Sequence, residues 1–226
     1  MGYLLLEGGA EFGGRMRDPD LKAIELAGGF DAPIRIIPTA AAPDNNHQRA
    51  GNNGIRWFQS LGAKDVASLP LIDKVSANDE SIAKSLREAK LIYMLGGFSG
   101  YLGETLKGSA AWNAVLEAYR NGAVIVGSSA GAMVMCEFYY DPSQGQVVDG
   151  LNLLPNAIVM PHYNTFGKSW ASRLLEISQV SLVGIDEQTG MINDEAQTWT
   201  VYGAGSVTLY RNHEVETYPV GETFSV

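Results

Sequence analysis

The sequence predicts a doubly wound α/β domain, a mostly parallel sheet wrapped by helices, finished by a C-terminal antiparallel β patch. Three observations predict it. Short apolar runs alternate with helical patterns over most of the chain. One of those runs, Ala123-Val-Ile-Val126, passes straight into Gly127-Ser-Ser-Ala-Gly131 and then into helix formers. Near the C-terminus the period changes to the strict alternation of half-buried strands.

Taken in order, the strand-like runs are residues 3–7, 34–38, 66–71, 91–95, 123–127, 157–160 and 182–185. Helical patterns fall between them at 20–27, 48–61, 82–89, 110–121, 130–138 and 169–180. Ser76 and Asn78 are expected to cap the third helix, with Glu80 and Ser81 in its first turn. The terminal runs 199–202, 206–210 and 214–218 are broken by Gly203-Ala-Gly205 and Arg211-Asn-His213, which predicts one antiparallel meander. With 226 residues and no shift of composition along the chain, a single domain over 1–226 is expected.

Composition narrows the function. Hydrophobic residues make up 46% and charged residues 18%, a globular balance. The formal charge of −9 and the scattered Lys and Arg argue against nucleic acid or an anionic membrane surface as partner. No apolar run approaches the roughly 18 residues of a membrane span, and Met1-Gly-Tyr-Leu-Leu-Leu-Glu7 lacks the charged start of a signal peptide. A single cysteine, Cys136, fits a reducing cytoplasm and is read as packing material. No His-Glu-x-x-His or Cys-x-x-Cys occurs, so neither a metal nor any other cofactor is expected. Gly8-Gly9 and Gly13-Gly14 flank Glu11-Phe12 without dinucleotide-binding spacing and read as a loop on an active-site rim.

Gly-x-Ser-x-Gly between a buried strand and a helix describes a nucleophile elbow. The turn is so tight that the residues two before and two after the serine must be nearly free of side chain. Serine is a poor nucleophile without a base, and the base works best when an acid fixes its tautomer. Of the three histidines, His47 lies in a polar stretch and His213 in a turn, whereas His162 ends the apolar run Ile158-Val-Met-Pro-His162. Asp186 and Glu187 end another such run, and alternation alone leaves either as the acid. An α/β-hydrolase order, serine then acid then histidine, would instead need Ser129, Asp149 or Asp186, and His213.

The order Ser129, His162, Glu187 resembles the flavodoxin-like, class I glutamine-amidotransferase-like arrangement with serine in place of its cysteine. Gly127-Ser-Ser-Ala-Gly-Ala132, Leu151-Asn-Leu-Leu-Pro155, Pro161-His-Tyr163, Gly184-Ile-Asp-Glu187 and Gly96-Gly97 resemble the serine-peptidase family of dipeptidase E and cyanophycinase. The resemblance implies Ser129 as nucleophile, His162 as general base and then acid, and Glu187 as the orienting carboxylate. It implies an oxyanion hole from the backbone N–H groups of Gly97 and Ala130. Phe98-Ser99 and Met160-Pro161 stand where cyanophycinases carry Asp-Gln pairs, so cyanophycin cleavage is not expected, and Pro161-His162-Tyr163 looks closer to dipeptidase E.

The expected activity is therefore that of an exopeptidase or dipeptidase acting on short peptides, as a monomer or homodimer. A carboxypeptidase of the same family, an α/β-hydrolase-type esterase or amidase using His213, and a non-catalytic amidotransferase-like binding domain on the same fold are the alternatives. Phe98, Ser99, Tyr163, Lys168 and Arg173 are candidate substrate contacts, with Lys168, Arg173, Arg15 or Arg17 available to a substrate carboxylate. Residues 8–17, 97–101 and 163–173 are expected to frame the cleft.

Overall fold

The structure, a computed structural model, describes residues 1–177, 180–212 and 214–226. Its strands are β1 (Tyr3–Glu7), β2 (Ile34–Ile37), β3 (Val66–Ser68), β4 (Leu91–Met94), β5 (Val124–Ser128), β6 (Phe138–Asp141), β7 (Gln146–Asp149), β8 (Ala157–Met160), β9 (Ser181–Ile185), β10 (Thr189–Asn193), β11 (Trp199–Gly203), β12 (Ser206–Arg211), β13 (Glu214–Pro219) and β14 (Thr223–Phe224). Its helices are α1 (Arg17–Leu26), α2 (His47–Leu61), α3 (Glu80–Glu88), α4 (Ser99–Leu106), α5 (Ala110–Arg120), α6 (Ala130–Met135) and α7 (Ala171–Ile177).

The central sheet has the order β14-β11-β10-β1-β5-β4-β2-β3. Strands β1, β5, β4, β2 and β3 run parallel, and β10, β11 and β14 extend the sheet antiparallel beyond β1. The parallel strands are apolar on both faces because both faces are covered. Leu5, Ile36, Tyr93 and Val126 pack with Ala23 and Ile24 of α1 and Phe58 of α2. Leu4, Leu6, Ile92 and Ile125 pack on the other face with Leu86 of α3, Leu102 of α4, Val115 of α5 and Val134 of α6. Each Leu or Ile side chain so buried contributes about 1.5–3 kcal/mol by leaving water.

A second sheet, β13-β12-β9-β8, carries β8 and β9, which were expected in the same parallel sheet as β5. Strands β8 and β9 are parallel to each other, with Val159 opposite Val183, and β12 and β13 follow antiparallel. Val159, Val183, Ile185, Val207 and Leu209 join the core under α6, while Ile158, Met160 and Leu182 pack with Leu174 of α7. A strand buried on both faces has no periodicity that says which sheet it joins. The expected meander is likewise divided. Strand β11 pairs with β10 and β14, β12 pairs with β9 and β13, and Gly203-Ala-Gly205 carries the chain between the two sheets.

Several bounds also differ. The helix expected over 130–138 stops at Met135, because Cys136 is extended and Cys136 and Leu154 form an isolated bridge. Asp79, rather than Ser76 or Asn78, caps α3 by accepting from the N–H groups of Ser81 and Ile82. Strands β6, β7, β10 and β14 and helix α4 were not expected. Helix α4 contains Gly100 and Gly103, poor helix formers held there by close packing: a Cβ on Gly103 would lie 2.8 Å from the Tyr139 hydroxyl.

Adjacent strands β1, β5 and β4 end at the same edge, delivering residues 8–16, Ser129 and Gly96-Gly97. The carboxyl ends of β8 and β9 deliver His162 and Asp186-Glu187. Two backbone hydrogen bonds join these edges, His162 N–H to Gly8 O at 2.7 Å and Gln188 N–H to Gly9 O at 3.1 Å. The site forms where carboxyl ends converge, as open α/β sheets favour.

Candidate active site

Ser129 sits between β5 and α6 with φ +49° and ψ −111°, a conformation that L-residues avoid and that tight nucleophile turns impose. The neighbouring glycines make it possible. A Cβ on Gly127 would lie 2.5 Å from the Gly131 carbonyl carbon, and one on Gly131 would lie 2.3 Å from Met94 O. The Ser129 N–H donates to Glu7 O at 3.0 Å, tying the elbow to β1.

Ser129 Oγ lies 3.0 Å from His162 Nε2, and His162 Nδ1 lies 2.7 Å from Glu187 Oε1. An ionised carboxylate only accepts, so Nδ1 carries the proton and Nε2 is free to accept from the serine hydroxyl. His162 is fixed from several sides. Its carbonyl accepts from the N–H groups of Thr165, Phe166 and Gly167, and its φ is +50°. Gly9 backs the ring so closely that a Cβ there would stand 2.3 Å from Cε1, and Phe166 stacks on the ring at 4.9 Å and 21°.

The two candidate acids point apart. Asp186 Oδ2 accepts from the N–H and the hydroxyl of Ser206, each at 2.9 Å, whereas Glu187 reaches the imidazole. Asn164 Oδ1 accepts the Glu187 N–H at 2.9 Å, and Thr165 Oγ1 lies 3.5 Å from Glu187 Oε1. His213 lies outside the described residues.

Gly97, with φ +138°, follows β4 beside the elbow, and a Cβ there would lie 2.3 Å from Ala40 O. Ala130 is the first residue of α6, so its N–H has no carbonyl a turn earlier to receive it. Glu11, which sequence reading placed only on a rim, joins these pieces. Its Oε2 accepts from Ser128 Oγ at 2.7 Å and its Oε1 from the Gly96 N–H at 3.3 Å.

A second acidic cluster lies beneath the elbow. Glu7 and Asp20 are fully buried; Tyr93 Oη donates to Glu7 Oε2 at 2.5 Å, and Trp57 Nε1 donates to Asp20 Oδ2 at 2.7 Å. Burial pushes the Asp20 carboxyl up to about 7. Burial, with Asp20 beside it, also raises Glu7 well above the ordinary carboxyl range. Among the described residues no group of three or more His, Cys, Asp or Glu is arranged to hold a metal ion, and no helix is long and apolar enough to cross a membrane.

Ser129 and His162 open into a cleft of about 1120 Å³, lined on one side by Phe98, Ser99 and Tyr101 and on the other by Phe166 and Trp170. The family model of Peptidase family S51 matches residues 4–200. The chain belongs to Peptidase family S51. As a member it is a serine-type peptidase, a hydrolase acting on peptide bonds.

The cyanophycinase of Synechococcus elongatus is 29% identical over 233 residues, covering 95% of this chain and 69% of the relative. That of Geminocystis herdmanii is 28% identical, covering 93% of this chain and 83% of the relative. A peptidase of Listeria innocua is 26% identical over 58% of this chain and 64% of its own length. The crystal structure of a peptidase from an acI-B1 Actinobacterium superposes with a TM-score of 0.90 at 28% identity, over 100% of this chain and 97% of that one.

In this S51 peptidase the other candidate contacts divide. Phe98 and Ser99 line the cleft. Tyr163, Lys168 and Arg173 are outside its lining. Tyr163 is buried with its hydroxyl on that of Tyr210, and Lys168 Nζ lies 6.0 Å above the Tyr163 ring. Arg173 covers the Tyr140 ring at 5.6 Å and donates to Gly145 O. Arg15 pairs with Asp18 at 3.0 Å on the surface, and Arg17 is also exposed. Residues 8–17 do not frame the cleft either, because they pass behind the histidine, where Gly9 and Glu11 are engaged. Their place is taken by the 73–75 turn and the 141–144 turn between β6 and β7.

Proposed function

We propose that this chain hydrolyses short peptides as an exopeptidase or dipeptidase, through an acyl-enzyme formed on Ser129. The observation that carries this reading is the hydrogen-bonded chain from Ser129 Oγ through His162 to Glu187 at 3.0 and 2.7 Å, opening into the cleft.

In the proposed reaction His162 Nε2 takes the hydroxyl proton as Ser129 Oγ bonds to the scissile carbonyl carbon. The resulting oxyanion accepts from the N–H groups of Gly97 and Ala130. Such preorganised donors are worth about 10²–10³ in rate each. His162 then delivers its proton to the leaving amine as the C–N bond breaks. A water repeats the sequence: its oxygen bonds to the acyl carbon, His162 takes its proton, and the ester bond breaks to return the proton to Ser129. Glu187 keeps Nδ1 protonated and stabilises the imidazolium formed in both halves.

Space supports a small substrate. A cleft of about 1120 Å³ accommodates a peptide of a few residues rather than a folded loop with its supporting scaffold. Cyanophycin is not the substrate proposed, since Phe98-Ser99 and Met160-Pro161 supply no carboxylate or amide to grip a branched Asp-Arg polymer. The buried lone thiol of Cys136, pushed up to about 12 by burial, is inert packing, in keeping with a cytoplasmic setting. The test is Ser129→Ala: hydrolysis of a dipeptide and tripeptide panel should fall by several orders of magnitude with the circular dichroism spectrum unchanged.

A further inference from the structure

We propose that the cleft selects a bulky apolar residue, aromatic or branched aliphatic, on the acyl side of the scissile bond, rather than an acidic one. This rests on the serine-peptidase reading above and adds the substrate side chain to it. Large apolar side chains that stand exposed are concentrated here: Phe98 is 44% exposed, Tyr101 39% and Phe166 51%, and all three line the same cleft as Ser129. Leaving such surface in water is unfavourable, and an exposed apolar patch of this kind marks a place that something apolar covers.

The wall is also held in place before any substrate arrives. Tyr101 Oη donates to Ile72 O at 2.9 Å. Phe166 is fixed between the His162 ring at 4.9 Å and Trp170 at 5.7 Å, and Trp170 packs on Tyr140 at 5.1 Å. Rings that are already ordered lose little entropy on binding.

Position assigns the acyl side. An acyl carbonyl oxygen that accepts from the Gly97 N–H brings its own residue beside Phe98, the next residue in the chain, and beside Tyr101 in the following helical turn. Met133, on the turn of α6 after Ser129, is a further apolar contributor to the lining. Phe166, stacked on the imidazole that protonates the leaving amine, lies towards the other half of the substrate.

Charge argues against an acidic side chain in the same place. The charged residues of the lining are Asp73, Glu104 and Asp141 against the single cation Lys74, whose Nζ already lies 3.5 Å from Glu104. Of the four cations that the sequence offered to a carboxylate, Arg15, Lys168 and Arg173 are engaged outside the cleft, and Arg17 is exposed away from its lining.

The experiment compares kcat/KM across X-Ala dipeptides and acetyl-Ala-X-Ala tripeptides, with X as Phe, Leu, Ala, Lys or Asp, alongside fluorophosphonate labelling of the same preparation. Phe and Leu should exceed Ala by about 10- to 100-fold, the scale of burying one large apolar side chain, and Asp should fall below Ala. Phe98→Ala should bring the Phe to Ala ratio down to within about threefold. Labelling at Ser129 with a flat profile or with Asp preferred overturns the apolar assignment and leaves the serine-peptidase reading standing. An unchanged Phe to Ala ratio in Phe98→Ala also overturns it. Absence of both labelling and hydrolysis overturns the two together.

Discussion

The carboxylate of Glu11 accepts the hydroxyl hydrogen of Ser128, 2.7 Å away, one residue before the elbow serine. Its other oxygen receives the Gly96 N–H at 3.3 Å, so one side chain holds the end of β5 and the end of β4 in register. Glu11 positions the groups on either side of the reacting carbon without touching it. Glu11→Ala should lower kcat by about 10- to 100-fold with little change in KM, the signature of lost transition-state alignment. Glu11→Gln, which retains one acceptor oxygen, should recover part of the loss. Steady-state kinetics of the two variants on one substrate would check this, and a loss confined to KM would contradict it.

Glu187→Gln should reduce kcat far more than Asp186→Asn, by orders of magnitude against a few-fold, because only Glu187 reaches His162. Asp186 ties β9 to Ser206, so its variant should show in thermal stability instead, by about 1 kcal/mol for the hydrogen bonds weakened. Matched kcat and melting measurements on the two variants separate the roles.

Gly9→Ala should disable the enzyme without replacing a catalytic group. The added methyl would stand 2.3 Å from His162 Cε1 at a residue whose φ is +105°, so the imidazole must leave the position that sets Nε2 3.0 Å from Ser129 Oγ. A displacement of about 1 Å is enough to cost about 10²-fold in rate. Near-normal turnover in this variant would contradict the close packing of Gly9 on the ring.

How much of this was legible in the sequence depends on which physical signal each element carries. The elbow was legible because Gly-x-Ser-x-Gly is one contiguous motif, with Gly127 demanded by Gly131 four residues on, although Gly131 is demanded by Met94 O on β4. His162 was legible from its place at the end of an apolar run. The division of β8 and β9 into a second sheet was not, since uniformly buried strands carry no mark of their partners. Nor was the choice between Asp186 and Glu187, because alternation separates two sides without saying which side holds the histidine. Glu11 stood in view between two glycine pairs, but its partners Ser128 and Gly96 are distant in sequence. Tyr163, Lys168 and Arg173 were close to His162 along the chain, yet the turn after β8 carries them away from the cleft.

The buried acids predict a pH dependence of stability. Burial raises the folded Asp20 carboxyl to about 7, above the roughly 3.9 of an unfolded chain, so folding favours its protonated form. That contribution is fully present below about pH 4 and is lost as pH rises through about 7, with Glu7 acting in the same direction. Asp20→Asn keeps a neutral group that still accepts from Trp57, so its melting temperature should change less than that of the wild type between about pH 5 and about pH 8. Parallel melting curves across that range test it, and equal slopes would show that Asp20 does not titrate there.

The central claim is that peptide hydrolysis runs through the Ser129 hydroxyl. A fluorophosphonate titration followed by peptide mapping tests it most directly. The account predicts one covalent adduct, on the tryptic peptide carrying Ser129, with residual peptidase activity falling in proportion to the labelled fraction, and neither labelling nor hydrolysis in Ser129→Ala. An adduct on another residue, or undiminished hydrolysis by Ser129→Ala, would contradict it.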